Sequence, residues 1–107
     1  MRVTFHPKFA TDIQGHRVQY DRIGPSLGQR FRMEVDFGIE AVKTSPMSAG
    51  HYLDTGSEVV REVRRRNVRS FPFFILYGLH EDELIFASLI PSRSDPLKWL
   101  RRFPRSK

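Results

Sequence analysis

Apolar positions follow two different periods along this chain, and the change of period divides it near its middle. Leu27, Phe31, Val35, Ile39 and Val42 follow one another at spacings of three and four. That is one apolar stripe of a helix of about four to five turns, over residues 26–44. Ser26 stands where an N-cap is wanted, and Thr44, Ser45 and Pro46 end the run. Phe9, Ala10, Ile13 and Tyr20 recur at near-helical spacing and predict an earlier helix over 7–23. Pro7 suits its first turn, while Gly15 weakens its middle by about 1 kcal/mol. Ile23, Gly24 and Pro25 read as a stop and a turn. So short a connection makes the two helices an antiparallel hairpin. Before them, residues 2–5 (RVTF) form a β-prone run that His6 and Pro7 close.

The second half reads as β-structure. Residues 45–58 are rich in Ser, Gly and Pro and predict a loop. Residues 59–68 are a first strand. Residues 71–79 are apolar on both faces and predict a central, buried strand. A tight turn over 80–83 leads to a third strand over 84–90. Short connections make these three an antiparallel meander. Pro91 ends the sheet, and Asp95 with Pro96 opens a last short segment, helix or tail, that carries Trp99. The fold class is α+β, one domain over 1–107, with Phe31, Val35, Ile39, Phe73, Ile75 and Phe86 in one core between helices and sheet.

Composition narrows the chemistry. Of 107 residues, 39% are hydrophobic and 12% aromatic, enough for one modest core. There is no cysteine, which excludes disulfides, thiolate nucleophiles and cysteine-held metals. His6, His16, His51 and His80 are scattered, without metal-ligand spacing, and no Gly-rich phosphate loop occurs. No metal and no cofactor is expected. The apolar run 71–79 is too short to cross a bilayer, and the first nine residues show no signal peptide. The expectation is a cytoplasmic protein without a membrane partner.

Charge adds a partner. The net charge is +6, but residues 61–69 alone carry +4 and residues 98–107 carry +5, which leaves −3 for the rest. Basic blocks of this kind favour a polyanion or an acidic protein. Along an alternating strand Arg61, Arg65 and Arg69 share one face, and Arg64 and Arg66 take the other. Arg forks suit phosphates and carboxylates equally. A solvated strand whose charges protect a sheet edge would carry the same residues. The +5 stretch at 98–107 reads as a segment the core does not need.

Several local signatures then stand in a known order. Phe5, His6 and Pro7 are followed by Ala10. Tyr20 precedes Leu27, Gly28 and Phe31. Val63, Arg64 and Arg65 precede Arg69, Phe71, Pro72 and Phe73, with Tyr77 four residues on. Arg93, Asp95, Pro96 and Trp99 close the series. This order resembles the RelE/ParE toxin superfamily across residues 5–99. Two positions depart from it: Pro91 stands where many members carry His, and Ser94 where they carry a second Arg.

The resemblance implies the toxin of a type II toxin–antitoxin (plasmid stabilization) system, neutralised by a cognate acidic antitoxin. The ParE branch binds and poisons DNA gyrase and needs no catalytic acid or base. The RelE branch cuts messenger RNA on the ribosome without metal. For that reaction the candidates are Arg65, Arg93, Tyr77 and Lys98. They could stabilise charge but offer no evident general base near neutral pH. Residues 45–58 contain no Lys, and no Tyr follows Tyr77. The ParE-like reading therefore leads, with Arg64, Arg65, Arg69, Arg93, Trp99, Arg101 and Arg102 as contacts for target or antitoxin. A third reading is a degenerate member that only binds an antitoxin. Tyr77 and Trp99 are also ordinary core aromatics for such positions.

Overall fold

The computed structural model describes residues 1–56 and 62–103. The chain runs through strand β1 (Arg2–Phe5), helix α1 (Phe9–Ile23), helix α2 (Pro25–Thr44), strands β2 (His51–Leu53), β3 (Glu62–Asn67), β4 (Phe73–His80) and β5 (Glu83–Pro91), and a 3₁₀ segment (Pro96–Arg102). Residues 59–61 of the first meander strand, and Arg61 with them, lie outside the described residues, as do 104–107.

One residue separates the helices. Gly24 is extended, and its N–H returns to the Tyr20 carbonyl at 3.0 Å. It is also the cap of α2, with Pro25 as the first helical residue. Ser26, expected as the cap, lies inside the helix instead. Proline disfavours helical backbone at the residue before it, so the boundary falls at Gly24. The hairpin is close: a β-carbon on Gly28 would fall on the Asp21 carboxylate.

The five strands form one sheet in the order β1-β5-β4-β3-β2. The three later strands make the expected antiparallel meander. β1 joins it parallel to β5, which makes the sheet mixed. β2 was not foreseen: it lies within the stretch read as a loop, and pairs antiparallel to β3. β4 begins at Phe73 rather than 71, after a turn in which Ser70 adopts a left-handed conformation (φ 67°). As expected, β4 is central.

Both faces of β4 and β5 are covered. On the helix face Phe9, Ile13, Phe31, Val35, Ile39, Val42, Phe73, Ile75, Tyr77, Leu84, Phe86 and Leu89 form one core. It contains all six residues assigned to it from sequence. Tyr20, Phe31, Phe71 and Phe73 meet there ring to ring, with centroids 5.0–6.3 Å apart. Such pairs contribute about 0.5–1.5 kcal/mol each beyond their buried area. On the outer face a second cluster joins Val63, Phe74, Leu76, Ile85, Ala87, Ile90 and Phe103, with Leu53, Trp99 and Leu100 against it. The 3₁₀ segment thus lies over the outer face.

Register shifts once. Leu76 faces Ser88, but Tyr77 faces Phe86, so Ala87 is an extra residue in β5. This bulge is why Phe86 and Leu89, three apart, both point to the helices. Among the described residues no helix is long and apolar enough to cross a membrane.

His16, on α1, packs 4.4 Å from the Phe73 ring. Burial lowers its pKa below the usual 6.5, against a smaller upward pull from a hydrogen bond with the Leu89 backbone and from Asp12. The folded value lies below the unfolded one. The stability it contributes is therefore complete above pH 6.5 and is lost as pH falls through the folded value. The melting temperature should drop on acidification below pH 6.5, and His16→Gln should flatten that drop. The flattening is partial, because burial, Arg102 and Lys8 lower His6 in the same sense. Melts across a pH series check this; identical slopes in wild type and variant would refute it.

Candidate binding surface

Strand parity decides which arginines are free. Arg64 pairs across β3–β4 with Tyr77, and Arg66 with Ile75, so both lie on the helix face. There they clamp the loop that follows α2. Arg64 donates to the Gly50 carbonyl at 2.8 Å and pairs with Glu62 at 3.2 Å. Arg66 donates to the Ala49 carbonyl at 3.0 Å. The Tyr77 hydroxyl donates to the Pro46 carbonyl at 2.6 Å. Gly50 fits beneath because it has no side chain: a β-carbon would come within 2.5 Å of the Tyr77 oxygen and 2.8 Å of the Arg65 carbonyl.

Arg65 points the other way. Its guanidinium lies 3.9 Å over the Phe74 ring on the outer face and donates to Asn67 Oδ1 at 3.1 Å. An arginine stacked and braced like this keeps further N–H groups for an anion. Arg69 is exposed in the turn before β4, and Arg93 in the turn after β5. A bond from Ser92 N–H to the Pro72 carbonyl at 2.9 Å holds the two turns at the same end of the sheet. Lys98 and Arg101 are exposed on the 3₁₀ segment, whose Trp99 packs half-buried on the outer-face core.

Arg102 does something else. β1 covers the β5 edge only as far as Phe86. Just beyond, at the bulge, Asp12 of α1 accepts from the Ser88 hydroxyl (2.7 Å) and the Leu89 N–H (3.3 Å). Arg102 joins this node at 2.6 Å from the same carboxylate oxygen, and also donates to the Ala87 carbonyl (3.1 Å) and to Ser88 Oγ (3.0 Å). The pair is mostly buried, at 11% and 19% side-chain exposure. Together with buried Phe103 it ties the 3₁₀ segment to both the sheet and α1. The reading of residues 98–107 as dispensable to the core is therefore corrected for 99–103. Their basic composition hid three apolar residues and one internal ion pair. Nothing in the sequence marked Asp12 or Ser88 either; only the bulge brings them together.

The four ribonuclease candidates are not gathered. Tyr77 is fully buried on the helix face, with its phenol pKa raised chiefly by burial. Arg65 is on the opposite face, with the sheet between them. Among the described residues no cluster of three or more His, Cys, Asp or Glu could hold a metal.

No family model matches the chain, and no curated protein is similar to it. A solved structure is. It is a chain of the chromosomal ParDE TA system from P. aeruginosa, with a TM-score of 0.69 and 17% identity, covering 85% of this chain and 95% of that one. The chain thus shares the fold of that ParDE structure, an α+β architecture with an N-terminal strand, two helices and a five-stranded mixed sheet.

Deleting residues 100–107 should cost several kcal/mol. It exposes the site Phe103 fills, about 1.5–3 kcal/mol, and strands the Asp12 carboxylate, which costs less than the roughly 3–5 kcal/mol of a fully buried pair because Asp12 is 19% exposed. Arg102→Ala should lose the second part alone. Thermal or urea unfolding measures both; a deletion as stable as the full chain would contradict the node's role.

Proposed function

We propose that this chain is the toxin of a type II toxin–antitoxin pair, acting by binding DNA gyrase rather than by catalysis and held inactive by an acidic antitoxin. The observation that carries the reading is the division across the sheet. The one phenol of the candidate set is buried on the helix face, while Arg65, Lys98 and Arg101 belong to the outer face. Cleavage of an RNA backbone needs a base, a charge-stabilising group and an acid around one phosphate. A contact surface needs only exposed, braced donors. The likeness to a chain of the ParDE system favours the same class.

Within this reading Arg65, Arg69, Arg93 and Arg101 meet the target or an acidic antitoxin segment, with Trp99 as an apolar anchor beside them. Arg64 and Arg102 act indirectly, because their guanidinium groups serve the loop clamp and the bulge node. An antitoxin segment that folds on binding would be drawn in by the charge, so its association should slow with added salt.

Expression of the chain alone should arrest growth, inhibit supercoiling by purified gyrase, and leave messenger RNA intact on translating ribosomes. Arg65→Ala and Arg93→Ala should each weaken inhibition by less than about tenfold, since a binding surface spreads its energy over several contacts. A ribonuclease would instead lose roughly 10²–10³-fold with one such group. Messenger cleavage that vanishes with Arg65→Ala overturns the gyrase reading. A chain that binds an antitoxin but is inert in all three assays is a binding module only.

A further inference from the structure

The solvent side of α2 carries a second apolar pair. Met33 and Phe37 are 62% and 63% exposed. They stand four residues apart, one above the other on one helix face. The stripe α2 buries, Phe31, Val35, Ile39 and Val42, is on the opposite side. Isolated apolar side chains on a surface mean little, but these two are adjacent and continuous with a recess. Phe37 walls a shallow pocket of about 440 Å³ that includes Ala41, Thr44 and Ala49.

Charges flank the pair in a self-complementary order. Arg30 lies three residues before Met33, and Glu40 three residues after Phe37. Neither is firmly engaged: Glu40 meets Lys43 at 3.5 Å on the surface, and Arg30 sits 6.0 Å over the Phe71 ring. Now set two copies of α2 antiparallel about a two-fold axis level with Val35. Met33 of one copy then faces Phe37 of the other. Arg30 of one comes within side-chain reach of Glu40 of the other, at both ends of the contact. A sequence that reads apolar in the middle, basic on one side and acidic on the other fits itself in this way, as an isologous interface demands.

We propose that the chain pairs with a second copy of itself through the outer face of α2, with Met33 and Phe37 packed against each other across the two-fold and Arg30 paired with Glu40 at each end. A helix of 20 residues is about 30 Å long. One helix pair is at the small end of specific interfaces, below about 1,200 Å². Association is therefore reversible, with a dissociation constant on the order of micromolar.

Sedimentation of the purified full chain over about 1–500 μM tests this. The wild type should pass from monomer to dimer across the series. Phe37→Glu should remain monomeric, and circular dichroism with a thermal melt should find it as helical and about as stable as wild type, because Phe37 is mostly exposed and belongs to neither core cluster. Arg30→Glu and Glu40→Arg should each weaken pairing by about tenfold or less. The double variant should recover, because the two-fold restores opposite signs at both ends. A wild type that stays monomeric throughout overturns the proposal, and so does a Phe37→Glu chain that dimerises like wild type. A double swap no better than the singles overturns the antiparallel pairing. If the wild type is monomeric but Phe37→Glu no longer binds an acidic antitoxin, the face belongs to that partner and not to a second copy. Neither gyrase inhibition nor growth enters the readout, so failure of the toxin reading would leave this result standing.

Discussion

β4 and β5 are apolar on both sides, and the rest of the molecule answers that constraint. A strand pair of this kind leaves two faces to be withdrawn from water, and each apolar side chain left exposed costs about 1.5–3 kcal/mol. The helical hairpin covers one face. Strands of the same sheet cannot cover the second face, and the chain returns with Trp99, Leu100 and Phe103 to cover it. The basic C-terminal segment is accordingly a structural layer, with Lys98 and Arg101 exposed and Arg102 turned in to Asp12. The same short segment thus has two sides: Lys98 and Arg101 outward, Trp99, Leu100 and Phe103 inward.

The bulge at Ala87 is where these layers are joined. An extra residue breaks the regular ladder just past the end of β1 and turns backbone and hydroxyl groups toward an open edge. Buried polar groups must find partners. Asp12 and Arg102 supply them from opposite sides, one from α1 and one from the 3₁₀ segment. Removing either member leaves the other charge mostly buried and unpaired, which is more costly than never having built the pair.

Much of this was legible in the sequence where period and burial reinforce each other. The spacing of Phe31, Val35, Ile39 and Val42 admits one helix face, and the unbroken apolar run through β4 admits only a central strand. Strand parity correctly separated Arg65 from Arg64 and Arg66. It could not say which set faced the helices, because Arg is compatible with either side when carbonyl groups wait for it. β2 escaped notice because three residues between loops, two of them exposed, are too few to show an alternation. Of the C-terminal layer only Trp99 was legible as a packing residue; Leu100, Arg102 and Phe103 escaped because charge dominates the segment's composition. The Asp12–Ser88–Arg102 node joins positions 76 and 90 residues from Asp12, and no local pattern encodes such a meeting.

The parallel seat of β1 beside β5 has a consequence for how the chain comes to be. Arg2 meets Glu83, and Phe5 meets Phe86. The first strand therefore waits, through both helices and most of the sheet, for a partner some eighty residues downstream. Closing so long a loop is entropically slow. A chain emerging from the ribosome can form its hairpin early, yet Val3 and Phe5 lack their β5 partners until Leu84 and Phe86 have been made. The last strand of the sheet decides when the first one pairs.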